Sequence, residues 1–250
     1  MIKVLINGCN GKMGQELAKA IERNDKFQTV CGVDRVDTGD NKFPVFTDIE
    51  NISEEPDIII DFSIPVATFN ILKYAVKKHI PTVIATTGFS ENELEKLKEI
   101  SKETPIFRSA NMSYEVNLMS NLVAQISKLL KDADIEIVET HHNRKVDAPS
   151  GTALLLADSI NKALDNEKYY EYDRHSKREK RNKKEIGIHS IRGGNVVGKH
   201  SVMFFSENES FEITHTSNSR AVFAEGALKA AEFLVVQENG LYNMNDIFNK

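Results

Sequence analysis

Short apolar runs alternate with amphipathic helical patterns through the first half of the chain. The apolar runs have the length of buried strands and lie at residues 3–6, 29–33, 57–62, 82–85 and 105–107. Helical patterns lie between them, for example at residues 68–78 and 91–102. Because strands that alternate with helices form parallel sheets with crossover connections, this pattern predicts an α/β domain built on a parallel sheet.

The pattern changes beyond residue 131. A long amphipathic helix is predicted at residues 117–131, and the segments at 186–191, 200–205 and 211–215 alternate in the manner of antiparallel strands. An alanine-rich helix is predicted at residues 221–237, followed by a short tail that we expect to pack back on the first domain. The chain is therefore predicted to contain a parallel-sheet domain and a separate α+β module.

Composition narrows the class of protein. The 250-residue chain has 37 acidic and 32 basic residues, and the formal charge of −5 gives no general attraction to nucleic acid or to an anionic membrane. The apolar runs are too short to cross a bilayer, and Met1 leads directly into a strand without a charged and apolar leader. The only cysteines are Cys9 and Cys31, so we predict a cytoplasmic protein with reduced thiols.

One segment is strongly basic: residues 175–184 read HSKREKRNKK. Such a run can bind nucleic acid or can form a solvated loop. No aromatic residue is interleaved to stack on bases, and the chain as a whole is acidic, so the pattern favours the solvated loop.

A glycine-rich turn lies between the first strand and the helical pattern that follows it. Glycines at 8, 11 and 14 permit a tight turn, a close approach of the backbone to a pyrophosphate and close packing of the helix on the sheet. The spacing GxxGxxG is weak alone, because a plain glycine loop also fits it. Asp34 and Arg35 follow the second strand, where Asp34 can bind the adenosine ribose of NADH and Arg35 can bind the 2′-phosphate of NADPH.

Polar residues also follow the next three predicted strands. They are Ser63, next to Phe62, and the segments 86–88 and 110–113. Ligands of open parallel sheets bind beyond the carboxyl ends of the strands, so we expect all three segments to line the cofactor crevice. Each could alternatively be a polar loop without a ligand.

Residues 139–153 read ETHHNRKVDAPSGTA and carry the most chemistry. Apolar alternation before this segment predicts a strand, and the loop expected to leave that strand carries His141, His142, Arg144 and Lys145. A helix is predicted to begin near Ser150, and the first backbone N–H groups of a helix attract a carboxylate or phosphate. Imidazoles, cations and a helix N-terminus together predict a site for an anionic substrate.

The side chains of this segment suit proton transfer. A histidine with a pKa near neutrality donates or accepts a proton, and Lys145 can hold a carboxylate or supply a proton. Asp147 is expected to brace the loop or to neutralise Lys145. A zinc site at the paired histidines is disfavoured, because neither a cysteine partner nor HExxH spacing accompanies them, and no metal is predicted. A serine hydrolase built on Ser150 lacks the GxSxG elbow.

Several motifs together carry a family resemblance: GCNGKMG, TTG, ANMS, HHNRKVDAPSGTA, IRGGNVVGKH and ITHTSNSR. The chain resembles the 4-hydroxy-tetrahydrodipicolinate reductases, also called dihydrodipicolinate reductases, of bacterial diaminopimelate and lysine biosynthesis. The resemblance covers nearly the whole chain, and KVDAPSGTA is its most specific part. It implies that NADH or NADPH passes a hydride to a cyclic dicarboxylate, after which the resulting enamine is protonated.

The resemblance also implies an architecture. A Rossmann-like dinucleotide-binding domain is expected at residues 1–113 and 221–250, and a central α+β domain for substrate binding and oligomerisation at residues 114–220. The sheet of the central domain, mixed or antiparallel, is expected to assemble a homotetramer. A small molecule is the expected partner, with no nucleic acid and no membrane.

The same resemblance implies roles for individual residues. His141 is expected to act as the acid/base group and Lys145 as the proton donor. The residues expected to bind the substrate are His142, Gly151, Thr152 and Arg220. The residues expected to bind the cofactor are Gly8, Cys9, Asn10, Gly11, Lys12, Met13, Asp34, Arg35, Thr86, Thr87, Gly88, Ala110, Asn111, Met112 and Ser113.

Three positions depart from the family pattern. Glu115 stands where a glycine is common, and Asn195 and Lys199 replace acids.

Two other interpretations compete with the reductase. One is a related NAD(P)-dependent amino-acid dehydrogenase, and the other is a non-enzymatic, NAD-sensing regulator that uses the basic segment on nucleic acid.

Overall fold

The computed structural model describes residues 1–248, and the chain forms two compact units. One unit contains Met1–Tyr114 together with the described residues from Arg220 onward, and the other contains Glu115–Ser219. The strands are β1 (Ile2–Asn7), β2 (Phe27–Val33), β3 (Val45–Phe46), β4 (Ile58–Asp61), β5 (Thr82–Ile84), β6 (Ile106–Arg108), β7 (Asp134–His141), β8 (Tyr169–Glu171), β9 (Glu185–Arg192), β10 (Gly198–Phe205), β11 (Ser210–Ser217) and β12 (Leu241–Tyr242).

Helices connect most of these strands. They are α1 (Lys12–Glu22), α2 (Pro65–Lys78), α3 (Glu91–Ile100), α4 (Tyr114–Leu129), α5 (Gly151–Ala163), α6 (Ala221–Leu234) and α7 (Met244–Phe248), with a short 3-10 helix at Ile49–Asn51. None of the helices within residues 1–248 combines the length and the apolarity that a membrane span requires.

The first unit is built on a seven-stranded sheet in the order β12-β6-β5-β4-β1-β2-β3. Every neighbouring pair of strands in this sheet is parallel. The order 3-2-1-4-5-6 is that of a Rossmann fold, and it reverses direction between β1 and β4. The predicted parallel sheet is confirmed, and its ligand crevice is expected at the carboxyl ends of these central strands.

Burial explains why the first three residues of β4 are apolar. Ile58, Ile59 and Ile60 are fully buried, because helices cover both faces of a parallel sheet. Helix α6 packs on the same core through small side chains such as Ala227 and Ala231. A β-carbon added at Gly226 of α6 would overlap the carbonyl oxygen of Met112, so this helix approaches the segment after β6 more closely than a larger residue would allow.

The second unit contains a five-stranded sheet in the order β11-β10-β7-β9-β8. Strand β10 is antiparallel to both β7 and β11, as the sequence predicts. Strand β9 is parallel to β7 and to β8, so of the two predicted possibilities, a mixed or an antiparallel sheet, the mixed sheet is confirmed. The long connection from β7 to β9 contains α5, and such a crossover permits parallel pairing.

The helices of the second unit cover one face of its sheet. Along β7 every second residue is buried: Ile135, Ile137, Glu139 and His141. The two isoleucines pack in one core with Val123 of α4 and Leu156 of α5, so Glu139 and His141 also point toward the helices.

The end of β7 differs from the sequence prediction. His141 was expected on the loop, but it is the last residue of the strand. It pairs with Arg192 of β9, and its carbonyl oxygen accepts a hydrogen bond from the Gly193 amide at 2.9 Å. This pairing places the His141 ring against the sheet rather than on a free loop.

Candidate active site

The glycine turn after β1 is built by close backbone contacts. Gly8 has a φ of 80°, a conformation that favours glycine, and a β-carbon added there would lie 2.8 Å from the carbonyl oxygen of Phe62. A β-carbon at Gly14 would overlap the backbone of the turn itself. Helix α1 begins at Lys12, its N-cap Gly11 supplies no side-chain cap, and its first turn contains no acid. The start of α1 therefore suits an anion such as a pyrophosphate.

Asp34 lies beside this turn and braces it. One carboxylate oxygen accepts a hydrogen bond from the Asn10 amide at 2.9 Å, and the other accepts one from the Arg35 amide at 2.8 Å. Cys9 is fully buried, and burial, with a smaller contribution from the Asp34 charge, raises the pKa of its thiol to about 12. The Cys9 thiol is therefore a neutral, packed side chain of the turn.

A cleft of about 530 Å³ opens beside the turn. Of the expected cofactor residues it is lined by Gly8, Asn10, Gly11, Asp34 and Arg35. Phe62 and Ser63, which follow β4, also line it, as the sequence predicts. The segments 86–88 and 110–113 lie outside this cleft, after β5 and β6, while Lys12 and Met13 form the start of α1. The turn, the cleft and the adjacent Asp34 fit an adenine dinucleotide.

Asp61, at the end of β4, joins the strand ends around the cleft. Its fully buried carboxylate accepts hydrogen bonds from Asn7 at 2.7 Å, from the Ser63 hydroxyl at 2.5 Å, from Thr68 at 2.5 Å and from Thr86 at 2.9 Å. The Thr86 hydroxyl also accepts a hydrogen bond from the Ser63 amide at 3.0 Å. Thr86 does not line the cleft, but its hydroxyl fixes the position of Ser63, which does.

In the second unit, Glu139 is the centre of the hydrogen bonding around His141. Its carboxylate is fully buried and lies 2.6 Å from Nδ1 of His141. Arg192 donates to both of its oxygens, at 2.7 and 2.8 Å, and the Ser150 amide donates at 3.1 Å. Burial opposes ionisation, but the hydrogen bonds from Arg192, Ser190 and His141 outweigh it and lower the pKa of Glu139 to about 2. Glu139 is therefore a carboxylate at any physiological pH.

His200 packs against His141 on the neighbouring strand. The two rings meet edge to face with centroids 5.1 Å apart, and Nε2 of His200 lies 2.9 Å from the Ser150 hydroxyl. Burial, and then the charge of His141, lower the pKa of His200 to about 4. His200 is therefore uncharged at neutral pH. The Ser150 hydroxyl also caps α5 by accepting a hydrogen bond from the Ala153 amide at 3.1 Å.

Lys145 lies on the loop between β7 and α5 and is paired with Asp147 at 2.8 Å. The hydrogen bond from Lys145 lowers the pKa of Asp147. The expectation that Asp147 neutralises Lys145 is confirmed. Arg192 also donates to the carbonyl oxygen of Asp147 at 2.7 Å, so the loop is tied to Glu139 through one guanidinium group.

The remaining expected substrate residues fall into two places. His142 follows β7, and its amide donates to the carbonyl oxygen of Val196 at 2.7 Å. Gly151 and Thr152 are the first residues of α5, and a β-carbon added at Gly151 would meet nothing within 4 Å. Arg220 is exposed and is the N-cap of α6, which belongs to the first unit. Within residues 1–248 there is no group of three or more His, Cys, Asp or Glu side chains that could hold a metal ion.

The two halves of the chain match two parts of one family. A family model described as dihydrodipicolinate reductase, N-terminus, matches residues 2–112, and one described as dihydrodipicolinate reductase, C-terminus, matches residues 115–248. The chain belongs to the dihydrodipicolinate reductase family. The family resemblance inferred from the motifs is confirmed.

Curated relatives place the chain within the reductase family in more detail. It is 52% identical over 250 residues to a 4-hydroxy-tetrahydrodipicolinate reductase of Caldanaerobacter subterraneus subsp. tengcongensis, covering 100% of this chain and 99% of the relative. It is 47% identical over 250 residues to the reductase of Clostridium tetani, covering 100% and 98%. These relatives confirm the expected function, reduction of 4-hydroxy-tetrahydrodipicolinate with NADH or NADPH in diaminopimelate and lysine biosynthesis.

A solved structure supports the same reductase fold. The chain resembles a dipicolinate-bound dihydrodipicolinate reductase from Paenisporosarcina sp. TG-14 with a TM-score of 0.83 and 26% identity, covering 98% of this chain and 99% of that one. The Rossmann-like sheet and the second, mixed sheet are therefore those of the reductase family. Dipicolinate is a planar ring with two carboxylates, which is the class of molecule predicted for the segment 139–153.

Sequence reasoning missed Asp61 and the contacts of Glu139, Arg192 and His200. A usable signal existed for Glu139, because residues two apart on a strand share a face and Glu139 is two positions before His141. Arg192 and His200 lie opposite His141 and Glu139 on neighbouring strands, and only the strand register reveals this.

Proposed function

We propose that the second unit binds the substrate and handles its proton, with His141 as the acid/base group and Lys145 as the proton donor. The observation that carries this proposal is that an imidazole, an ammonium group and a helix N-terminus are tied together by Glu139 and Arg192 within one unit. A doubly charged substrate needs cations and amide donors, and its reduced product needs one proton, which this cluster can provide.

The substrate is proposed to be a cyclic dicarboxylate held at the start of α5. One carboxylate would accept hydrogen bonds from the Gly151 and Thr152 amides, where the helix dipole favours an anion. The open space beside Gly151 admits such a group. His142 and Arg220 are also proposed to bind the substrate. The dipicolinate bound to the Paenisporosarcina relative has the chemistry that this arrangement recognises.

The cofactor is proposed to lie on the glycine turn of the first unit. The pyrophosphate would meet the start of α1, and the adenosine ribose would meet Asp34 or Arg35 at the end of β2. The segments 86–88 and 110–113 are proposed to contact it farther along the edge of the sheet. When bound, NADH or NADPH supplies the hydride. The protein's own residues then supply the proton: Lys145 protonates the enamine carbon, and His141 exchanges a proton through its ring nitrogen.

Two substitutions test this assignment. Lys145→Ala and His141→Ala should each lower kcat by roughly 10²-fold or more, because each removes a group that acts on the substrate's proton. The affinity for NADH, measured by fluorescence titration, should change by less than about twofold, because neither residue belongs to the glycine turn or lines the cleft beside it. Lys180→Ala, an exposed lysine in the basic segment, is the matched control. Turnover equal to that of the control in both variants would overturn the assignment.

The assembly is proposed to be a homotetramer formed through the open face of the second sheet. The face opposite α4 and α5 carries Val138, Ile191, Met203 and Phe205, and Ile191 and Phe205 are 51% and 41% exposed. Contiguous exposed apolar side chains mark interaction surfaces. Phe205→Glu should therefore lower the molar mass measured by light scattering, and an unchanged tetramer, or a wild-type monomer, would contradict the proposal.

We propose a cytoplasmic enzyme without a nucleic-acid or membrane partner. Within the basic segment, Lys177 pairs with Glu171, and Arg181 pairs with Asp134 and Glu136 at 3.0 Å. These pairs neutralise part of the charge that nucleic acid would need. The Arg181 guanidinium is largely buried in its network, so it braces the sheet. Salt-dependent DNA binding in a filter or anisotropy assay would contradict this proposal.

A further inference from the structure

Glu139 makes three kinds of contact, two within the proposed catalytic segment and one with β9. Its carboxylate is hydrogen-bonded to Nδ1 of His141 and accepts a hydrogen bond from the Ser150 amide at the start of α5. Arg192 donates a hydrogen bond to each of its two oxygens. Arg192 in turn holds the carbonyl oxygen of Asp147, on the loop that carries Lys145. The acid/base ring, the helix start and the lysine loop are therefore all anchored on one buried ion pair.

We propose that Glu139 is a positioning residue that holds His141 in the tautomer with its proton on Nδ1, so that Nε2 is the atom that exchanges a proton with the substrate. The inference rests on the proposed role of His141. Arg192 is the second part of the same device, because it fixes the plane of the carboxylate through two parallel hydrogen bonds.

The hydrogen-bonding capacity of the groups leads to this tautomer. An ionised carboxylate only accepts hydrogen bonds, and Arg192 and the Ser150 amide only donate them. With Glu139 ionised, the 2.6 Å contact requires His141 to donate through Nδ1. A neutral imidazole that carries its proton on Nδ1 has a free lone pair on Nε2.

The surroundings of Nε2 agree with this assignment. A β-carbon added at Gly198 of β10 would lie 3.2 Å from Nε2, so glycine at this position keeps a side chain away from the atom. His200, whose ring packs edge-on against His141, is engaged through its own Nε2 with the Ser150 hydroxyl. Its neutral ring adds no positive charge beside His141.

Glu139→Gln tests the positioning directly. Glutamine has the same shape, but it presents one oxygen and one NH₂ group to three donors. The oxygen would go to Arg192, and the NH₂ group would donate to Nδ1 of His141, which moves the ring proton to Nε2. We expect kcat to fall by roughly 10²- to 10³-fold, with NADH affinity retained, because the wrong tautomer cannot accept a proton at Nε2.

The matched control is Glu136→Gln. Glu136 lies on the same strand but on the other face, and it also contacts a histidine, with Oε2 at 2.9 Å from Nε2 of His189. It makes the same kind of contact outside the proposed site. The control should keep kcat within about twofold of wild type.

The deciding measurement is long-range proton–nitrogen NMR of protein labelled with ¹⁵N-histidine, at a pH where His141 is neutral. Wild type should show a protonated Nδ1 and an unprotonated Nε2 for His141, and Glu139→Gln should reverse this. Wild-type protein with the proton on Nε2 would overturn the proposal even if the variant does not fold. So would unchanged kcat, pH profile and tautomer in a folded variant. Full activity of His141→Ala would instead overturn the role of His141.

Discussion

Asp61 in the first unit and Glu139 in the second unit are both fully buried carboxylates near the ends of strands, but their surroundings differ. The side chains that donate to Asp61 are neutral: one amide and three hydroxyls. Glu139 has a guanidinium group on both of its oxygens. Burial raises the pKa of Asp61, with its hydrogen bonds opposing the rise, while the pKa of Glu139 falls to about 2.

The difference separates two tasks. Neutral hydroxyls can join the strand ends around a dinucleotide cleft without adding a fixed cation beside it. An imidazole that exchanges protons needs a neighbouring carboxylate that stays ionised. A bidentate arginine keeps the Glu139 carboxylate ionised. The first unit therefore uses a buried carboxylate to shape a binding surface, and the second uses one to define a tautomer.

The largest expected effect is on the Glu139 side of this comparison. Arg192→Met should lower the free energy of unfolding by about 3–5 kcal/mol, because it leaves a buried carboxylate without its cation. Urea denaturation at neutral pH measures this effect. The comparison would fail if the loss were under about 1 kcal/mol, since Glu139 would then be stabilised by its neutral donors alone, as Asp61 is.

The pH dependence of stability should have opposite signs at the two sites. The contribution of Glu139 is fully present above its unfolded pKa of 4.5 and is lost as the pH falls toward 2, about 3 kcal/mol. The free-energy difference between wild type and Glu139→Gln should therefore shrink as the pH falls below 4.5. The pKa of Asp61 is raised, so wild type should lose stability relative to Asp61→Asn as the pH rises above 3.8. If urea unfolding showed the same direction of pH dependence for both pairs of proteins, the comparison would be contradicted.

The smallest expected effect is that of Asp61→Asn, about 1 kcal/mol of unfolding free energy. The hydroxyls of Ser63, Thr68 and Thr86 can turn from donor to acceptor to meet the new NH₂ group. Because the cleft wall shifts, the KM for NADH should rise a few-fold while kcat is retained. Asp57→Asn, just before the start of β4, is the control that should leave KM unchanged. A lower kcat at an unchanged KM would assign Asp61 a different role.

Much of the fold could be predicted because the sequence pattern is local. The apolar run that becomes β4 is buried on both faces, and the amphipathic runs become α2 and α3. Strands β3 and β12 have only two residues each, too few to show a period. The parallel pairing of β9 with β7 was missed because alternation fixes the faces of a strand but not its direction.

The candidate site divides in the same way. His141, Lys145 and the start of α5 lie within fifteen residues, so their chemistry could be recognised from the sequence. Arg192 is 53 positions from Glu139, and Asn7 is 54 positions from Asp61. Such contacts depend on the register of β7 with β9 and of β1 with β4, which no local pattern encodes.

The most direct test of the central claim is a crystal structure of the protein with NADH and dipicolinate. The account predicts one carboxylate on the Gly151 and Thr152 amides, with the ring within hydrogen-bonding reach of Nε2 of His141 or the Lys145 ammonium group. Dipicolinate bound with neither carboxylate at the start of α5, and with its ring far from both side chains, would contradict the account.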